Sequence, residues 1–292
     1  MAMGGVVALW GMGPVVSKFI TAPPLTIAAT RMVLAVPVTY TAARLQGYRL
    51  TKAALRGSML GGMFFGLNMV FFFAALQHTT VATITLIGVL QPAIVMALAW
   101  RLFHERPSNW AIGWTLVAIA GVAAAVMLTG RKVRPTGIGL LLSCLCICAF
   151  AGYMLASRHA RRTLNTWSYL SGVMVWASVT VLVPALIQGL HYQAFDRNDW
   201  LWLLCMLIGP GLIGHVLMNL AITELPMNLT SLQMLPSTVL SIGVSWPVHG
   251  EHITLGQALA GCVTLTAVGL VVWRQTSRAR RPVARAGAAE PA

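Results

Sequence analysis

Along this chain the apolar residues come in long runs separated by short polar joints. Ten such runs stand at roughly 3–20, 24–44, 55–76, 79–102, 109–129, 136–157, 166–188, 199–222, 228–248 and 254–274. Crossing about 30 Å of hydrocarbon takes about 20 mostly apolar residues in a helix, and only about 10 in a tilted barrel strand. The runs therefore predict an all-α polytopic membrane protein of ten transmembrane helices, with too little chain between them for a soluble domain. The first run is expected to be a true span and not a cleaved leader. No basic segment precedes it, and Pro14, Ser17 and Lys18 occupy the place of a cleavage region.

The polar interruptions inside the runs are informative in their own right. Residues 88–92 read GVLQP and residues 232–236 read LQMLP. A proline inside a helix removes a backbone donor, so Pro92 deprives the carbonyl of Gly88 of its partner, and Pro236 that of Leu232. Freed backbone at membrane depth is tolerated only where protein or water satisfies it, which predicts a hinge or cavity-lining bend at both prolines. Polar side chains at that depth usually face the interior of the bundle. Helical spacing gathers them into stripes: Gly61, Phe65, Asn68 and Phe72 in span 3; Thr80, Thr83, Ile87 and Gln91 in span 4. Gly211, His215 and Asn219 do the same in span 8, as do Thr230, Gln233, Ser237 and Ser241 in span 9. Trp10 shares a face of span 1 with Gly13, Pro14 and Ser17, and a planar ligand has Trp10 or Phe72 to stack on. The same stripes also fit simple interhelical hydrogen bonding, and both readings stay open at this level.

The two prolines belong to a longer echo. LQP precedes Glu105, Gly113 and Gly121, and MLP precedes Glu251, Gly261 and Gly269. WGMGPVVSK at 10–18 is matched by FAGYMLASR at 150–158. The repeats are residues 1–130 and 131–274, each of five spans. An odd number of spans inserts the second copy upside down, and the charges agree. The joint after span 2 holds Arg44, Arg49, Lys52 and Arg56, whereas its counterpart after span 7 holds Asp196, Arg197 and Asp199. Two inverted five-helix repeats around a central cavity are a common plan of secondary transporters.

Composition narrows the chemistry. Only 9% of residues are charged and 58% are hydrophobic. The net charge of +14 does not imply nucleic acid, because the basic residues are spread over joints and a C-terminal tail. With the N-terminus in the cytoplasm, fourteen Lys and Arg fall inside and five outside. Positive-inside bias thus predicts a multi-pass protein of the cytoplasmic (inner) membrane with both termini cytoplasmic. Residues 275–292 are expected to be a disordered basic tail near anionic headgroups. The six acids all fall in joints, span ends or the tail, so a buried carboxylate for ion coupling is lacking and neutral or zwitterionic cargo is expected. His215 is the mid-span group that titrates near neutrality, and Arg31 is the one Arg well inside a span. The thiols of Cys144, Cys146 and Cys148 point about 200° apart in succession on a helix and do not converge on a metal. No phosphate loop, catalytic triad or metal-ligand spacing occurs, so neither an enzyme nor a cofactor is expected.

Taken together and in order, W-G-x5-S-K in span 1, Arg31 with LA in span 2, the intrahelical prolines followed by Glu, and G-x7-G in spans 5 and 10 make the chain resemble EamA-type members of the drug/metabolite transporter superfamily. Within that family it is similar to the YddG-type exporters of aromatic amino acids. The resemblance implies ten helices, a cavity formed by spans 1, 3, 4, 6, 8 and 9, and alternating access. The expected function is export of small amphipathic metabolites, most of all aromatic or other neutral amino acids. Other metabolites or drugs on the same fold, and a non-transporting membrane scaffold, are the alternatives. Expected partners are a small-molecule substrate and the lipid bilayer, with the protein a monomer. Candidate substrate-binding residues are Trp10, Asn68, Phe72, Gln91, His215, Asn219, Gln233 and Ser237, with Pro92 and Pro236 as hinges.

Overall fold

The computed structural model describes residues 2–79, 84, 87–104, 106–128, 136–191, 195–232, 234–249 and 254–287. In the first half the helices are α1 (Ala2–Ser17), α2 (Pro24–Leu45), α3 (Lys52–Gly57), α4 (Met59–His78), α5 (Gln91–Phe103) and α6 (Asn109–Met127). The second half holds α7 (Gly137–Ala160), α8 (Thr166–Gln188), α9 (Arg197–Met206), a π-helical stretch (Leu207–Ile213), α10 (Gly214–Glu224), α11 (Met227–Leu232), α12 (Met234–His249) and α13 (Leu255–Gly287). Five segments are long and apolar enough to cross a membrane unaided by their neighbours: Pro24–Leu45, Gly137–Ala160, Thr166–Gln188, Arg197–Glu224 and Leu255–Arg274. Shorter apolar helices at Ala2–Ser17, Met59–Ala75, Gln91–Phe103 and Asn109–Ala125, with α11 and α12 as span 9, complete ten spans.

Short joints are possible because they carry their own caps. Asn165 accepts from the backbone N–H of Ser168 at 2.9 Å and starts α8. Asp196 and Asp199 form a reciprocal capping box at the start of α9. Asp199 also takes the backbone N–H of Thr21 at 3.0 Å and its hydroxyl at 3.1 Å, tying the joint after span 1 to span 8. Thr136 caps α7 and donates to the carbonyl of His78 at 2.6 Å.

The packing obeys a twofold exchange of halves. α2 packs on α8, α6 on α13 and α5 on α11, each helix meeting its own equivalent. The remaining pairs come as couples. α4 on α7 (spans 3 and 6) answers α1 on α10 (spans 1 and 8), and α5 on α7 (spans 4 and 6) answers α1 on α12 (spans 1 and 9). The largest core cluster runs through Phe65, Phe150, Tyr153, Met154, Tyr169 and Met218. A second one joins spans 5, 9 and 10 through Ala118, Val122, Leu232 and Val268. Leu116, Leu141, Leu186, Ile187 and Leu259 stay exposed, as lipid-facing residues do.

Of the G-x7-G pairs, Gly121 and Gly261 are packed and Gly113 and Gly269 are not. A Cβ at Gly121 would lie 3.0 Å from the carbonyl oxygen of Ala260, whereas Gly113 and Gly269 face open space. The backbone of α13 runs as helix from Leu255 to Gly287, and lengthening a helix that already exists needs no new nucleus.

Candidate functional site

Span 8 loses its α-helical register where its sequence reads IGPGLIG. Pro210 has no N–H to give to the carbonyl four residues back, and from Leu207 to Ile213 the chain adopts the wider π register. The N–H of Gly214 donates to the carbonyl of Gly209, five residues earlier. A π turn leaves carbonyls out of line, and such turns are frequent at functional sites. Here Trp10 takes up the slack: its indole Nε1 donates to the carbonyl of Pro210 at 3.1 Å. The fit requires glycine at 214, where a Cβ would stand 2.6 Å from that Nε1.

Around Trp10 the centre of the bundle is aromatic. His215 packs on Trp10 and Phe65, with ring centroids 5.2 and 4.7 Å away. Phe150 lies 5.8 Å from Trp10 and 5.6 Å from Tyr153. The Tyr153 hydroxyl, fully buried, accepts from Asn219 Nδ2 at 3.1 Å and stands 3.1 Å from His215 Nδ1. A hydroxyl has one proton and two lone pairs, so the pair with His215 Nδ1 forms with either imidazole tautomer. Asn219 Nδ2 also donates to the carbonyl of His215 at 2.9 Å, while its Oδ1 is buried with no partner among the described residues. Trp10 and Phe65 come from the first half and Phe150, Tyr153 and His215 from the second, so the cluster sits where the repeats meet.

The other expected site residues are placed as follows. Asn68 faces span 6 and donates to the carbonyl of Cys146 at 3.0 Å, clasping α4 to α7. Buried Gln91 reaches the sulfur of Met154 at 3.8 Å. Half-buried Phe72 meets Phe73 edge to face at 5.2 Å. Ser237 Oγ donates back to the carbonyl of Met234 at 2.8 Å, and its own carbonyl would stand 2.9 Å from a Cβ on Gly11. Gln233, Thr80 and Thr83 lie outside the described residues. The structure thus joins Trp10, His215 and Asn219 in one cluster and gives Asn68, Gln91 and Ser237 to contacts with neighbouring helices or backbone.

Pro92 stands in the first turn of a helix that starts after a break. Val89 and Leu90 form a turn before α5, and the N–H groups of Ala93 and Ile94 both go to the carbonyl of Leu90, at 3.1 and 3.2 Å. In a first turn the missing proline N–H leaves no bond unmade. Pro236 lies in α12, and residue 233 before it is outside the described residues.

Beside the cluster the open space is small, about 10 Å³, close to what one water needs. Arg31, Phe65, Met174, Leu207, Gly211 and His215 line it. Phe150 and Tyr153 carry no polar stripe and were not among the expected site residues. The glycine–proline–glycine run of span 8 is the signal in the sequence that marks the same place.

The chain matches the EamA-like transporter family twice, over residues 1–127 and 137–273, one match to each five-span half. A solved crystal structure is similar over 92% of this chain and 95% of its own, with a TM-score of 0.78 at 18% identity, a likeness of fold. Among curated proteins none matches.

Proposed function

Because the chain belongs to the EamA-like transporter family, a family of membrane transporters, we propose that it exports small amphipathic metabolites, above all aromatic or other neutral amino acids, by alternating access around a midplane site. The observation that carries this reading is the aromatic cluster of Trp10, Phe65, Phe150, Tyr153 and His215, assembled from both halves. Aromatic walls suit a planar apolar body, and the His215 imidazole offers a directed polar contact. The pocket beside the cluster has room for about one water, so in this reading cargo enters when the halves rock apart. The described acids, Asp196, Asp199 and Glu224, stand at the ends of α9 and α10. None reaches the cluster, which favours transport driven by the solute gradient or loosely by protons. The protein works as a monomer in the cytoplasmic membrane with both termini inside.

Flux of L-tryptophan or L-phenylalanine into proteoliposomes, with and without a pH gradient, tests the reading. Saturable flux that depends weakly on the gradient is the expected result. Flux at the rate of empty liposomes across a panel of amino acids refutes it.

Pro92 and Pro236 act in this scheme as paired hinges. Alanine is the best helix former, so Pro92→Ala lets the break before α5 close into one stiff helix, and Pro236→Ala stiffens span 9. Each variant is expected to insert and melt much like the parent protein and to lose transport several-fold. Unchanged flux in both reduces the prolines to packing details.

A further inference from the structure

The pocket beside the aromatic cluster contains a charge that no described residue pairs. Arg31 stands about 10 Å along α2 from its start, and its guanidinium lines the pocket with Phe65, Met174, Leu207, Gly211 and His215. Its Nε is buried and has no hydrogen-bond partner among the described residues. No acid lines the pocket. An arginine stays protonated throughout the accessible pH range, and an unpaired cation at membrane depth is expensive. The guanidinium lies against the π-helical stretch: a Cβ on Gly211 would be in ordinary contact with it, 3.7 Å from Nη2 and 3.8 Å from Nε.

We infer that Arg31 anchors a carboxylate of the cargo, which makes the transported class monocarboxylate amphiphiles, amino-acid zwitterions among them. This rests on the transport reading given above. A guanidinium fork takes both oxygens of a carboxylate in one plane. One fixed positive charge matches one carboxylate. A phosphorylated or dicarboxylate cargo would keep a second negative charge unmatched, because no other Lys or Arg lines the pocket. Phe65, Met174 and Leu207 receive the apolar body, and His215 stands where the polar and apolar parts join.

Three probes separate the contributions: L-phenylalanine, 3-phenylpropionate without the amine, and phenethylamine without the carboxylate. Binding of each to the purified protein is measured for the parent chain, Arg31→Gln and Arg31→Lys, with L-phenylalanine flux recorded beside it. The parent is expected to prefer both carboxylates over phenethylamine by about tenfold to a hundredfold. Arg31→Gln loses that preference and leaves phenethylamine unchanged, while Arg31→Lys keeps part of it. A purely structural arginine would weaken all three probes alike. A parent that does not discriminate, or an Arg31→Gln that still does, overturns the anchor and leaves the transport reading intact if flux persists. Carboxylate selectivity that depends on Arg31 in a protein without flux supports the anchor and refutes the transport reading. No binding of any probe to the parent refutes both.

Discussion

Leucine in place of Gly66 is expected to leave little folded protein in detergent. α4 lies against α8 on bare backbone. A Cβ at Gly66 would meet the Cβ of Thr180 at 2.5 Å and the carbonyl oxygen of Ala177 at 3.0 Å, and one at Gly62 would meet the carbonyl oxygen of Val173 at 2.7 Å. Gly62 and Gly66 form the small-x3-small spacing that lets helices approach in a membrane, where no hydrophobic effect draws one helix to another. Close van der Waals contact carries the association, and backbone atoms cannot swing aside as a side chain can. Overpacking costs about 1–3 kcal/mol, occasionally more, and leucine against backbone belongs at the upper end. Gly113→Leu is the control, since nothing lies within 4 Å of a Cβ there. Melting temperature and monodispersity on size exclusion are the readouts. A stable, monodisperse Gly66→Leu protein would mean that α4 and α8 are not held by this seam.

His215→Leu is expected to lower flux at least tenfold while the protein still folds. The hydroxyl of Tyr153 shares a hydrogen bond with His215 Nδ1 and accepts one from Asn219. Leucine takes the first of these away, and leaving a buried polar group short of a partner costs about 1–3 kcal/mol. It also deletes the imidazole beside Trp10 and Phe65. Tyr153→Phe removes the hydroxyl that has lost its partner, so the double variant His215→Leu with Tyr153→Phe is expected to recover stability but not flux. Thermal unfolding and proteoliposome flux, measured on the same preparations, distinguish the two effects. Full flux in His215→Leu would place the imidazole outside the transport path.

Much of the architecture is legible without coordinates. The positions of the ten spans, the break near Pro92 and the division into halves can all be read from local features. A hydropathy run, a missing N–H and a repeated order of residues act within one segment or between copies of it. The site was only partly visible. Trp10, His215 and Asn219 are identifiable as polar or aromatic positions on helix faces, and they do meet. Asn68 looks equivalent to Asn219 on the corresponding face of its own span. It goes instead to the backbone of Cys146, because α4 packs tightly on α7 and the partner lies on another segment.

What the sequence by itself determined is what the bilayer demands of each segment: about 20 apolar residues, backbone bonds satisfied within the helix, and basic joints on one side. These requirements apply to each stretch separately, so each stretch declares them. Which polar atom meets which was decided only by the tertiary structure. Tyr153 became the hub because it, His215 and Asn219 come from helices that pack together. Arg31, legible in the sequence only as an arginine well inside a span, lines a pocket with residues of spans 3, 7 and 8. Both outcomes follow from the packing angles of helices far apart in the chain, and no local pattern encodes those.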